Sequence, residues 1–223
     1  MRIRQISIIV LVLVAGSAAA SIAGELSFGL KAGMMTSNVT DIPDEMSDVQ
    51  DYRTGFTGGV FLNYAFNDEF SVQPELLYVP KGVGASYDVG GLFGVGVDAN
   101  LDFLDLPVLL KYTFSGGAKV RPCIFVGPSI GVSVNSDLDL SAGWLSTSVD
   151  ISDYTSDTDF GVVAGAGIGY ETSRGLLTFD ARYQRGFTNV LEDVEFEFDG
   201  ETYTIDVDDF KHYGFAFMLG FQF

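Results

Sequence analysis

The last eleven residues, Tyr213 to Phe223, place Phe215, Phe217, Leu219, Phe221 and Phe223 on every second position, with Gly214, Ala216, Met218, Gly220 and Gln222 between them. At strand periodicity one face is large and apolar and the other is small or weakly polar. A soluble strand hides such a face under a second layer of protein. Lipid is the alternative cover, and it imposes a further demand: every backbone N–H and C=O in a bilayer must be paired within the protein, which a sheet achieves only by closing on itself. The sequence is then expected to hold an even set of similar strands.

Eight alternating segments meet that expectation: Leu26 to Met35, Gly55 to Phe66, Phe70 to Gly84, Asn100 to Phe114, Val120 to Asn135, Thr158 to Glu171, Leu176 to Phe187 and Phe210 to Phe223. Each is long enough for the roughly 9 to 11 tilted residues that cross a bilayer. Short connections rich in turn residues (Asn67-Asp68-Glu69, Ser115 to Lys119, Thr172 to Gly175) alternate with long ones. The pattern predicts an all-β fold: an eight-stranded antiparallel up-and-down transmembrane β-barrel with extended extracellular hairpins, short periplasmic turns and both termini on the periplasmic side.

The period-2 register sorts the side chains by face. Outward fall Leu26, Phe28 and Leu30, Phe56 and Val60, Phe70 and Tyr78, Leu104, Val108 and Leu110, Ile124, Val126, Ile130, Val132 and Val134, Phe160 and Ile168, and Leu177 and Phe179, none of them charged. Inward fall Lys31, Gln73, Glu75, Lys81, Asp105, Lys111, Arg121, Asp180, Arg182 and Gln184, interspersed with glycines such as Gly131 and Gly167. Desolvated charges persist only when paired and hydrogen-bonded. Lys31, Glu75, Lys81, Asp105, Lys111, Arg121, Asp180 and Arg182 are therefore expected to form a lumenal ion-pair network, with the forked guanidinium of Arg182 at its hub. Eight strands enclose an interior only just wide enough for its own side chains, so the network is expected to be a structural plug rather than an ion or substrate path. Gly165-Ala166-Gly167-Ile168-Gly169 lies within a strand and precedes no helix, which removes it as a dinucleotide-binding loop.

Ahead of the strands, Arg2 and Arg4, the apolar run Ile6 to Val14 and the small residues Ala18 to Ala23 read as a signal peptide over 1–23, leaving 24–223 as one barrel domain. The formal charge of −18 argues against a nucleic-acid partner. Cys123 is the one cysteine, so no internal disulfide can staple the fold.

Most of the acid sits in the long connections, among them Asp41 to Asp51, Asp137 to Asp159 and Glu192 to Asp209. In the last of these, Val194 to Phe198 and Thr202 to Val207 alternate around Asp199-Gly200, a strong hairpin signal. The preceding long connection is expected to turn at Ala142-Gly143, with Trp144 at its tip. Acidic loops of this kind favour solubility and a diffuse, weak binding of divalent cations, which also bridge lipopolysaccharide phosphates; none carries the spaced ligands and glycine of a defined calcium loop.

Several stretches resemble the outer membrane protein β-barrel family common in Bacteroidetes, the PorT-like porin family. Glu75-Leu76-Leu77-Tyr78 with Lys81-Gly82 resembles its third strand, and Leu104-Asp105-Leu106-Pro107-Val108-Leu109-Leu110-Lys111-Tyr112 its most recognisable motif. Gly127-Pro128-Ser129-Ile130-Gly131 resembles its fifth strand, and Ala181-Arg182-Tyr183 with Gly186-Phe187-Thr188-Asn189 its seventh. The resemblance implies the barrel and the outer-membrane compartment but no activity.

The expected function is thus a structural or interaction role for a monomeric barrel in contact with the bilayer, lipopolysaccharide and an unknown protein at its loops. The alternative is a narrow channel or a transport or secretion accessory for small solutes or lipids. No enzyme is predicted, and no catalytic, cofactor-binding or metal-binding residue is assigned: His212 is the one histidine and is expected at the extracellular rim, with no serine fixed beside it.

Overall fold

A computed structural model describes residues 24–39, 50–89, 93–114, 119–142, 145–150, 158–189, 194–198, 201–205 and 211–223. The proposed signal peptide, Trp144, the Asp199-Gly200 turn and most of the loop acids lie outside the described residues.

The strands are β1 (Glu25–Val39), β2 (Gln50–Ala65), β3 (Phe70–Val89), β4 (Phe93–Thr113), β5 (Val120–Ala142), β6 (Leu145–Asp150), β7 (Thr158–Thr172), β8 (Gly175–Asn189), β9 (Val194–Phe198), β10 (Glu201–Ile205) and β11 (Lys211–Gln222). Eight of them form the ring β4-β3-β2-β1-β11-β8-β7-β5, and pairing of β5 with β4 closes it. Every ladder is antiparallel. The decisive seam joins the first and last strands, with Leu30 opposite Phe221 and Met34 opposite Phe217.

The structure is taller than the sequence reading. Strands β3 and β4 pair on to Val89 and Phe93, and β5 continues to Ala142, where it pairs with β6 from Leu145. Strands β9 and β10 pair as a two-stranded sheet with Phe198 opposite Glu201, and the residues that link it to β8 and β11 lie outside the described residues.

Short turns close the other end. The Asn67 Oδ1 accepts from the backbone N–H groups of Glu69 and Phe70, at 2.9 and 2.8 Å, an Asx turn that needs no partner elsewhere. At the β7–β8 turn the Thr172 hydroxyl donates to the Gly175 carbonyl at 2.6 Å, and Gly175 has φ 149°, where a side chain is strained.

The outer face matches the register read from the sequence. Phe28, Leu30, Phe56, Phe160, Phe215, Phe217 and Leu219 are exposed, Phe217 at 59%. Val132 differs: it is 7% exposed, beside a register shift between Asp102 and Phe103 on the partner strand. Val132 keeps outward parity, opposite Leu104 and between Gly131 and Ser133, which face the inward Asp105 and Phe103 across the ladder. Inside, small apolar clusters (Met35, Leu77, Val79, Ala216 and Met218; Leu109, Cys123, Phe125 and Val163; Leu101 and Phe103) pack around the inward charges.

Candidate functional site

Inward-facing charges collect in two clusters, one above the other. The cluster nearer the short turns joins β1, β3 and β8. Lys31 Nζ lies 2.7 Å from Glu75 Oε1 and 2.8 Å from Asp180 Oδ2. Arg182 donates from Nη1 to Glu75 Oε2 at 2.7 Å and from Nη2 to Asp180 Oδ2 at 3.0 Å. Gln73 adds a third donor to Glu75, at 2.7 Å. Two cations thus face two carboxylates, all buried. The sequence pointed to Arg182 as hub; the structure gives that place to Glu75, because a carboxylate accepts from several donors at once and this one receives Lys31, Gln73 and Arg182.

The cluster nearer the long loops joins β3, β4, β7, β8 and β11. Lys81 Nζ lies 2.9 Å from Asp105 Oδ1 and 2.8 Å from Asp159 Oδ2. Gln184 donates to Asp105, and His212 Nδ1 stands 3.1 Å from Asp159 Oδ2. Two members correct the sequence reading. Asp159 belongs to the lumen rather than to the acidic loop, and His212 is 1% exposed rather than at the rim. Both share the parity of inward neighbours, Gly161 and Gly214, and that parity continues into the ends of their strands.

Each buried cation of the two clusters also sits over an inward phenylalanine: Lys31 over Phe61 at 4.7 Å, Lys81 over Phe103 at 4.4 Å and Arg182 over Phe125 at 5.3 Å from the ring centroid. Ring faces attract cations and do so more strongly where water is excluded. The period-2 register contained this signal, since Phe61, Phe103 and Phe125 fall on the inward parity, but charge alone directed the sequence reading.

The other two predicted members lie apart. Lys111 is buried, but among the described residues no carboxylate comes within salt-bridge distance of it; it sits on a cavity of about 390 Å³ at the short-turn end, with Glu25, Ser27, Asn63 and Arg121. Arg121 is outside the buried network: its side chain is 49% exposed and pairs with Glu171 at the mouth of that cavity. It is the second residue of β5, where the barrel opens to solvent, so inward parity there does not mean burial.

Arg53, absent from the sequence reading, fills a seam. Between Tyr52 opposite Val83 and Gly58 opposite Tyr78 the β2–β3 ladder is interrupted and its register shifts, beside Pro80, which has no N–H to give. The Arg53 guanidinium enters here, donating to the backbone carbonyls of Lys81 and Leu101 and to Asp102 Oδ1, the last at 3.0 Å.

The clusters bridge walls that are not neighbours in the sheet, so they brace the barrel across its bore. Among the described residues no group of three or more His, Cys, Asp or Glu side chains is placed to hold a metal ion.

The family model described as an outer membrane protein beta-barrel domain matches residues 17–192. Solved structures similar to the chain include Neisserial surface protein A (10% identity over 89% of this chain and 97% of that one, TM-score 0.43). Others are the outer membrane protein OprG of Pseudomonas aeruginosa (14%, 90% and 97%, 0.46) and Ail, the attachment invasion locus protein of Yersinia pestis (14%, 90% and 99%, 0.40). No curated protein matches the sequence.

Proposed function

The chain belongs to the outer membrane protein beta-barrel domain family, and from that premise we propose that it is a plugged barrel: a structural and interaction protein of the outer membrane that holds its long acidic loops outside the cell. One observation carries the reading. Lys31, Glu75, Asp180 and Arg182 close over one level of the lumen, and Lys81, Asp105, Asp159 and His212 over the next. Cations and carboxylates that neutralise one another at these distances leave no row of free charge for an ion or solute to follow.

In this reading the short turns and both termini are periplasmic, the protein acts as a monomer with no catalytic role, and its partners are the bilayer, lipopolysaccharide and a protein or weakly held divalent cations at the loops. The loops carry the individuality of the chain, and the finer kinship with PorT-like members rests on motifs such as Leu104 to Tyr112. The second reading, a narrow channel or transport accessory, is favoured only by the cavity beneath Lys111. Planar-bilayer recording separates the two: the plug predicts no steady single-channel conductance, and a large one in the unmodified protein overturns it.

A further inference from the structure

The lipid-facing wall carries one cation that the fold does not explain. Arg185 continues the outward row of β8 after Leu177, Phe179, Ala181 and Tyr183, and it is exposed. Among the described residues no carboxylate lies within salt-bridge distance of it. Its neighbours are apolar or aromatic: Val162 across the β7 ladder, Tyr213 across the β11 ladder, and along its own strand Tyr183 on one side and the exposed Phe187 on the other. A guanidinium on the outer face of a barrel is costly at the bilayer midplane and close to free of cost at an interface. Its position is therefore a depth mark.

The same level of the wall is polar on three further strands. Asn38 of β1 is opposite Tyr213, and the side chains of Asn38 and of Tyr52 of β2 approach the Tyr213 hydroxyl. One step toward the short turns, the Thr36 and Thr54 hydroxyls meet at 3.1 Å and the Tyr183 and Phe215 rings pack at 5.0 Å. Beyond these come Met34, Phe56 and Phe217, all exposed and apolar. The exposed Tyr52 and Arg185 and the half-buried Tyr213 thus line a polar band over β2, β11 and β8 near the long-loop edge of the apolar wall, with the buried Asn38 of β1 between the two tyrosines and the exposed Phe160 and Phe187 one step beyond it. Tyrosines at such an edge lie at headgroup depth.

We propose that this band is a lipid headgroup site, with the Arg185 guanidinium holding a phosphate of lipopolysaccharide through its forked donors while Tyr213 and Tyr52 offer hydroxyls beside it. Charge complementarity selects the occupant. The protein has a formal charge of −18, so an arginine facing lipid with no carboxylate partner among the described residues is a local exception that a doubly phosphorylated glycolipid suits and a zwitterionic lipid suits poorly. The inference deepens the reading above and rests on its placement of the long loops outside the cell.

The test is affinity of the full-length refolded protein for lipid A, with bis-phosphorylated and enzymatically dephosphorylated lipid A and phosphatidylglycerol as separate arms, and the heat-resistant compact form on a gel as the check that each variant is folded. Bis-phosphorylated lipid A should bind and raise the temperature at which the compact form is lost. Arg185→Gln should weaken that binding by roughly tenfold, about the worth of one charge-assisted hydrogen bond, and Arg185→Lys should weaken it less. Equal binding by Arg185→Gln and the unmodified protein, or no effect of removing the phosphates, overturns the proposal. Arg185-dependent binding of phosphatidylglycerol with none of lipid A also overturns it and counts against the assigned orientation, whereas channel conductance with lipid A binding intact counts against the plug alone.

Discussion

Arg182 of β8 and Glu75 of β3 meet at 2.7 Å across the bore, between strands separated in the sheet by β2, β1 and β11. A contact of that kind resists ovalisation of the barrel in a way that the ladders alone do not, because it ties walls that share no backbone hydrogen bonds. Removing one partner of a buried pair leaves the other charge stranded, at a cost of about 3–5 kcal/mol. Glu75→Gln is therefore expected to lower stability by about that amount, since Lys31 and Arg182 then share Asp180 alone. The double variant Glu75→Leu with Arg182→Met leaves the Lys31–Asp180 pair balanced and should recover much of the loss. Urea unfolding in lipid vesicles measures both, and a double variant as unstable as the sum of its single changes would show that the pair is not a unit.

The upper cluster has tight tolerances at a glycine. A Cβ added at Gly131 would stand 3.0 Å from Lys81 Nζ and closer still to Asp105 Oδ1. Gly131→Ala must displace one or both, and overpacking of this sort costs about 1–3 kcal/mol. Ala181, on the outer face of β8, is only half-buried by contrast, so Ala181→Val should be nearly silent in the same unfolding assay. Equal loss in the two variants would place the sensitivity in the backbone rather than in the Lys81–Asp105 contact.

The interrupted β2–β3 ladder makes Arg53 a replacement for backbone pairing. Arg53→Ala removes donors from the Lys81 and Leu101 carbonyls and the cation from Asp102. An unsatisfied buried acceptor costs about 1–3 kcal/mol. Amide exchange at β2 and β3 around Arg53 and Lys81 should quicken, while the β7–β8 ladder, continuous from Gly161 opposite Gly186 to Thr172 opposite Gly175, should hold its protection. Uniform quickening through both ladders would mean global loosening and no local role for Arg53.

What the sequence made legible follows from period 2. Parity assigned Lys31, Glu75, Lys81, Asp105, Asp180 and Arg182 to the lumen without reference to any neighbour, because alternation is a local property of a strand. Which cation meets which carboxylate is set by shear and closure, and no local pattern encodes that Lys31 reaches Asp180 or that Lys81 reaches Asp159. Strand ends were the weak points: Arg121 has inward parity but opens to solvent, whereas Asp159 and His212 looked like loop and rim residues and are buried. Arg53 was invisible because its role depends on a break in pairing, which shows only when β2 and β3 are laid side by side.

Phe217 offers the sharpest check on the outer face. It lies midway along β11, opposite Met34 on one side and Ala181 on the other, with its ring stacked at 6.3 Å from that of Phe179 and 59% exposed. If hydrocarbon covers this row, a cation at its centre loses hydration with nothing polar to replace it, and Phe217→Arg should cost about 2–4 kcal/mol in folding into vesicles. Phe223→Arg, at the short-turn end of the same row, should cost about 0–1 kcal/mol, since a long side chain there reaches the interface. The gradient between the two positions is the informative quantity: a soluble barrel would tolerate both changes on an exposed face, and one buried against another protein would penalise them alike. Comparable costs at Phe217 and Phe223, large or small, would therefore remove lipid as the cover of the apolar wall.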